Sequence, residues 1–298
     1  MQVFDRRVIR LRRDRAAARL SDHDFLLAEV GERLADRLDD VRRRFPLALD
    51  LGCHTGTFGR CLQGRGGIER LVHADLSPSM AAAAPAPAVA ADEEVLPFGA
   101  GTFDAVFSLL SLHWVNDLPG ALLQMRHALK PDGLLLAAML GGDTLHELRT
   151  ALMEAEVAVE GGLSPRVSPF ADVRDAGMLL QRAGFALPVV DTETVTVSYS
   201  DPFKLMRDLR GMGAANAVLQ RRRGMTRRAT LMTAAARYAD RFGDAEGRVP
   251  ATFQVLYLTA WAPHPDQPRP LRPGSAAGRL ADALGTEEVS AGEKARPH

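Results

Sequence analysis

Two hydrophobic rhythms alternate along the chain. Residues 24–41, DFLLAEVGERLADRLDDV, place apolar side chains at 26, 27, 30, 34, 38 and 41, the stripe of an amphipathic helix. Short apolar runs follow: LALDL (47–51), ERLVHADL (69–76), APAVAAD (86–92), FDAVFSLL (103–110) and DGLLLAAML (132–140) read as strands. Helical segments fit between them. The one over 117–129 closes with Lys-Pro-Asp-Gly, which ends a helix and turns the chain into the next strand. Repeated strand–helix units predict a parallel sheet covered by helices on both faces.

Beyond residue 140, helical patterns cover about 144–160 and 171–183, the second stopping at Gly184. DTETVTVSY (191–199) alternates polar and apolar like a half-exposed strand, residues 202–243 read as helical, and ATFQVLYLTAW (251–261) is a last strand. From Pro263 the composition shifts to Pro, Gly, Ala and charge without periodicity, so 263–298 is expected to be a disordered tail. The expected organisation is an N-terminal helical lid (1–44), an α/β domain (45–262) with a helical insertion at about 201–245, and that tail.

At 298 residues the chain can bury a substantial core. Lys+Arg and Asp+Glu both number 37, so no global basic field points to nucleic acid as a partner. The two cysteines, Cys53 and Cys61, offer no disulfide framework and suit a reducing compartment. No apolar run approaches the roughly 18 residues of a membrane span. The N-terminus carries Arg6, Arg7, Arg10, Arg12, Arg13, Arg15 and Arg19, which invites a transit-peptide reading. Asp5, Asp14, the absence of serine before Ser21 and the lack of an apolar stretch argue against it. The expectation is a cytoplasmic protein, one able to work at the inner face of the cytoplasmic membrane.

The turn after the first strand reads Asp50-Leu51-Gly52-Cys53-His54-Thr55-Gly56. In a Rossmann-like unit such a turn lies against the cofactor, and its glycines let the backbone come close. The second strand ends in HADLSP, which puts Asp75 some 25 residues on from Asp50, the distance at which an acid holds a ribose diol. Ser77-Pro78 then opens a helix with a serine N-cap and proline at its first position. Asp92 and Glu93 follow the third strand. The loop has no GxGxxG triplet and no lysine for phosphate, so acids at 50, 75 and 92 suit a cationic, phosphate-free cofactor better than a dinucleotide. Structural roles for these residues stand beside that reading, since turn glycines relieve strain and aspartates cap helices. His54 occupies a position such loops give to glycine; it is expected to be a tolerated replacement with positive φ, which histidine accepts better than most residues.

These blocks resemble the class I S-adenosylmethionine-dependent methyltransferases, whose first motif reads acidic-x-Gly-x-Gly-x-Gly. The resemblance implies a Rossmann-like, seven-stranded α/β fold with N-terminal helices and a helical insertion before the last strand. It assigns Asp50, Gly52 and Gly56 to the methionine end of S-adenosyl-L-methionine, Asp75 to the ribose, and Asp92 with Glu93 to the adenine. Cys53, His54, Leu76 and Ser108 are expected to line the same pocket. SLLSLHWVNDLPGAL (108–122), GGDTLHELR (141–149), VFDR (3–6), GGLSPRVSPF (161–170) and LRGMGAANA (209–217) resemble, more particularly, the methyltransferase-like mitochondrial complex I assembly factors. That likeness runs from about residue 3 to 261. It implies a bacterial relative acting on an arginine of the quinone-side subunit of complex I during assembly, a family associated with arginine hydroxylation. The LHWVNDLP block is also similar to the malonyl-carrier-protein O-methyltransferase of biotin synthesis.

Methyl transfer from a sulfonium needs alignment and exclusion of water more than catalytic side chains. His113 is a candidate to accept a proton and Trp114 to wall the pocket or stack on a guanidinium; both could equally be packing residues. Asp143 could pair with a cationic substrate, and Arg149 lies on the same rim, whereas Thr144 and Glu147 match a capping box. His73 and Asp75 form an H-x-D fragment without a second histidine to complete a facial triad, so no metal is expected and hydroxylation rests on the resemblance alone. QRRRGMTRR (220–228) reads as a docking patch for an acidic partner or lipid, or as a solvated helix end. Met206 and Met212 lie in the insertion, either as adaptable contacts over an acceptor or as core. Three functions remain open: arginine modification, O- or N-methylation of a carrier-bound or small acceptor, and a non-catalytic assembly chaperone.

Overall fold

Seven strands form one sheet in the order β3-β2-β1-β4-β5-β7-β6. They are β1 (Leu47–Leu51), β2 (Arg70–Asp75), β3 (Ala88–Ala90), β4 (Phe103–Leu109), β5 (Leu129–Leu140), β6 (Ala186–Tyr199) and β7 (Val249–Trp261). The computed structural model describes residues 2–170, 172–267, 282 and 284–286. The first five strands are parallel. β7 runs antiparallel between β5 and β6, so the sheet is mixed where the chain doubles back. The fold is the seven-stranded, Rossmann-like methyltransferase architecture expected.

The period-two alternation of the strands builds a core on each face. Ala105 and Phe107 of β4, with Leu134 and Leu136 of β5, pack on one side. Val106, Leu135 and Ala137 pack on the other. The first face is covered by α2 (Phe25–Asp36), α3 (Thr57–Cys61), α6 (His146–Glu160) and α9 (Arg228–Phe242), the second by α5 (Leu118–Ala128) and α7 (Val173–Arg182). The N-terminal segment closes a third, smaller cluster in which Phe4 and Ile9 meet Trp114, Ala217 and Val218. It carries α1 (Arg6–Ala16), whose N-cap Asp5 accepts from Val8 N.

Ser77 caps α4 (Pro78–Ala83) as its sequence predicts, accepting from Met80 N at 3.1 Å. Two expectations fail. The capping box at Thr144 and Glu147 does not form: α6 starts at His146, Thr144 Oγ1 donates to Gln254 O, and Glu147 accepts from Thr252 N. Both side chains are buried and drawn onto β7, whose backbone satisfies them there. The helical reading of 202–243 also breaks. α8 (Pro202–Gly211) ends at Met212, where Gly213 takes φ 72°, and irregular chain continues to α9. A Cβ at Gly213 would lie 3.3 Å from the Cα of Arg13, so a close approach to α1 enforces the break. Most of the predicted 263–298 tail lies outside the described residues.

Candidate active site

The turn after β1 is strained in a specific way. Gly52, His54 and Gly56 all take positive φ, at 71°, 52° and 78°. A Cβ at Gly52 would sit 2.2 Å from the Ser111 side chain, and one at Gly56 would sit 2.6 Å from Pro85 Cδ. Glycine is therefore required at both positions by packing as well as by backbone angle. His54 adopts the positive φ expected of it. Its backbone N–H donates to Asp75 Oδ2 at 3.0 Å, and its Nε2 donates to Leu109 O at 3.2 Å. Burial, helped by Arg13, pushes its pKa down to about 4, so the ring is neutral at pH 7.

Asp75, at the end of β2, is fully buried. It accepts from His54 N, from Ser77 N at 2.8 Å, and from Arg13 Nη1 at 3.3 and 3.2 Å to its two oxygens. A carboxylate has about four lone-pair sites, and here all are engaged. The same guanidinium lies 3.4 Å from Glu93 Oε1 and donates through Nη2 to Ser111 Oγ at 2.8 Å. Ser111 Oγ in turn donates to Glu93 Oε1 at 2.6 Å. Arg6 completes the cluster, pairing with Asp92 and Glu93 and donating to Trp114 O. Burial works to raise the pKa of Glu93, but Arg13 and Arg6 outweigh it and hold the carboxyl at about 2, below its ordinary 4.5.

Asp50 is buried too. Its Oδ2 accepts from His73 Nδ1 at 3.0 Å, and burial raises its pKa. Its Oδ1, with His54 Nδ1 and Ser108 Oγ, is buried without a hydrogen-bond partner. Cys53 is buried, its Sγ donating to His54 O, and burial pushes its thiol up. Leu76 is half-buried against the Phe4 and Trp114 cluster. The strand ends thus gather Asp50, Gly52, Cys53, His54, Gly56, Asp75, Leu76, Asp92, Glu93 and Ser108 along one rim. Among the described residues no group of three or more His, Cys, Asp and Glu is placed to hold a metal.

A cavity of about 660 Å³ opens beside this rim. Arg13, His54, His113 and Trp114 line it, but Asp75 and Glu93 do not, so Arg13 stands between the cavity and the acids. His113 is buried, its ring centroid 5.2 Å from that of Trp114 and 5.7 Å from that of Phe170. Leu140 N donates to its Nδ1 at 3.4 Å. Burial, then Arg13 and His54, lowers its pKa to about 3. A neutral ring accepting at Nδ1 carries its proton on Nε2, which suits it to donate a hydrogen bond rather than to act as a general base. Trp114 packs edge-on against Phe4 at 5.6 Å and forms a wall. Asp143 is not brought to this site: it is exposed, accepts from Gln254 Nε2 and does not line the cavity. Arg149 is held by the carbonyls of Gly142 and Thr144. Met206 and Met212 both line the cavity.

Sequence reasoning missed Arg6, Arg13 and Ser111. The first two are seven residues apart, almost two helical turns, and so share one face of α1.

A family model described as a methyltransferase domain matches residues 49–137. The arginine-hydroxylase NDUFAF5, mitochondrial, of Danio rerio is 47% identical over 289 residues, covering 95% of this chain and 89% of that protein. The chain belongs to the class I S-adenosylmethionine-dependent methyltransferases. The Homo sapiens protein of the same description is 46% identical over 93% of this chain and 81% of its own length. Malonyl-acyl-carrier protein O-methyltransferase of Halorhodospira halophila (strain DSM 244 / SL1) is 38% identical, covering 87% of this chain and 89% of that protein. In fold, the BH2331 protein of Bacillus halodurans C-125 matches with a TM-score of 0.53 at 14% identity, over 77% of this chain and 99% of that one.

The residues present fit the family's cofactor. Unpartnered polar atoms at Asp50, His54 and Ser108 lie on the rim, and the acids after β2 and β3 can accept hydroxyl and amino hydrogens. Asp75 is saturated, so a hydroxyl pair could bind it only by taking over the lone pairs that Arg13 now uses.

Glu93 contributes stability that is present above its unfolded pKa and is lost as pH falls from about 4.5 toward 2. Arg13→Met removes the first of the two cations that depress it. Unfolding free energy at neutral pH is expected to drop by about 3–5 kcal/mol, as for other broken buried pairs. The acid transition followed by circular dichroism should move to higher pH, and an unchanged acid midpoint contradicts this. His54→Gly keeps the N–H that Asp75 accepts. It is expected to change S-adenosylmethionine affinity by less than about tenfold, roughly 1.4 kcal/mol; a larger loss in titration calorimetry would show that the imidazole itself binds.

Proposed function

We propose that this chain binds S-adenosylmethionine along the β1–β4 rim and modifies an arginine on the quinone-side subunit of respiratory complex I during its assembly. What carries the reading is the 47% identity with an arginine-hydroxylase along 95% of the chain. The cavity beside the rim supports it. Trp114 and Phe170 flank a neutral His113, a setting in which a guanidinium can stack on an aromatic face. In this reading Asp75 holds the ribose, Asp92 and Glu93 the adenine, and Asp50, Gly52 and Gly56 the methionine end. The bound sulfonium supplies a transferable methyl group. The chain supplies alignment and a water-poor cavity, and His113 donates through Nε2 to the acceptor or its neighbour. No described helix is long and apolar enough to cross a membrane. The reading places the chain in the cytoplasm, at the membrane face where such a subunit is assembled.

A second reading, methyl-ester formation on a carrier-bound acid, is favoured by the arginines that line the same cavity and by the malonyl-acyl-carrier protein O-methyltransferase relatives. Mass spectrometry of the complex I subunit from a deletion strain and from the complemented strain separates the outcomes. An oxygen-sized or methyl-sized gain on one arginine, present only with the gene, is expected. An identical, unmodified arginine in both strains contradicts the proposal, and a methyl-sized gain on a malonyl carrier protein in vitro assigns the second reading instead.

A further inference from the structure

The irregular chain between α8 and α9 brings Arg221, Arg222 and Arg223 to the cavity that Arg12, Arg166 and Arg210 also line. Three of these six charges are balanced. Arg166 pairs with Glu156, Arg222 with Glu160 and Arg221 with Asp5. The other three, Arg12, Arg210 and Arg223, form no salt bridge among the described residues, and Arg12 shares with Arg221 the field of Asp5. Arg12 donates only to the carbonyls of Ala215 and Asn216. Burial lowers its pKa most, and Arg221, Arg15 and Arg210 lower it further against the opposing charge of Asp5, so three other guanidiniums stand close to it. Of the residues that line the cavity Asp5 alone is acidic, and it is already engaged by Arg221 and by the start of α1.

A cationic target entering this cavity by itself meets like charge. The mouth becomes favourable when the target arrives on a chain that carries its own acids. We propose that this arginine-ringed mouth docks an acidic segment of the partner protein, its Asp and Glu side chains flanking the residue that enters the cavity. The inference rests on the functional reading above and specifies its substrate as an acidic peptide. Shape favours a peptide over a lipid surface, because the unpaired charges surround a concavity of about 660 Å³ rather than a flat face. The formal net charge of zero supplies no broad basic field for a bilayer or nucleic acid. Leu26, Leu148, Leu152 and Phe253 make the interior apolar, suited to the stem of one inserted side chain.

The test uses the full chain and a short fluorescein-labelled peptide with a central arginine between glutamates. An otherwise identical peptide carrying glutamines and vesicles of phosphatidylserine with phosphatidylcholine serve as controls. Anisotropy is expected to show salt-sensitive binding of the glutamate peptide, weakened by about tenfold or more in the Arg210→Glu, Arg223→Glu double variant. The Arg210→Lys, Arg223→Lys variant should retain most of it, and both variants should keep the melting temperature and S-adenosylmethionine affinity of the parent. Equal binding of the glutamine peptide, or no effect of charge reversal, overturns the proposal. So does vesicle binding that the double variant abolishes while the peptide fails to bind. In the deletion strain complemented with the double variant, full modification of the subunit overturns the docking site and leaves the function standing. Charge-dependent peptide binding with an unmodified subunit in the parent strain does the reverse.

Discussion

The guanidinium of Arg13, 2% exposed, is the tie on which the rim of strand ends β1 to β4 depends. Asp75 and Glu93 are completely buried, and burying two carboxyl groups side by side is costly unless a cation sits between them. Arg13 supplies it, and Ser111 bridges the guanidinium to Glu93. The constraint then spreads. Ser111 fits only because position 52 has no side chain, so the motif glycine, the loop after β4 and the N-terminal helix form one unit. Gly213 must likewise be small for α1 to lie where Arg13 can reach the acids. Charge balance at the rim thereby sets local backbone geometry at places far apart in sequence.

The same residue divides the site electrostatically. Behind Arg13 lie the acids that suit a cationic cofactor; in front of it lies a cavity ringed by arginines and walled by aromatic rings. Two histidines face that cavity, and both are kept neutral by burial and by Arg13's charge. Neither ring is therefore a strong base near neutral pH. That suits chemistry in which the cofactor carries the reactivity and the protein positions, excludes water and donates hydrogen bonds.

Strand positions were legible because buried parallel strands are continuous apolar runs, and β1 matches its sequence reading residue for residue. The acids after β2 and β3 were legible because spacing from the first glycine turn places them. The break in the insertion was not, because an amphipathic pattern continues through Met212 while the true constraint, the approach of α1 to Gly213, is tertiary. The capping box at Thr144 misled for the same reason: β7 offers both side chains better partners. Asp143 follows β5, a place that points to the rim, but the turn directs it to solvent and Gln254. The arginine-rich N-terminus stands out as composition alone. Its seven-residue spacing of Arg6 and Arg13 held the missed information, a basic helix face that needs buried acids opposite it.

The central claim is that the acids held by Arg13 are the ones that receive the cofactor. Titration calorimetry of S-adenosylmethionine into the full chain and into Asp75→Asn tests it directly, with circular dichroism confirming that both are folded. The parent should bind and the isosteric variant should bind at least about tenfold more weakly, since the amide replaces one acceptor by a donor. Undiminished affinity in folded Asp75→Asn would contradict the account.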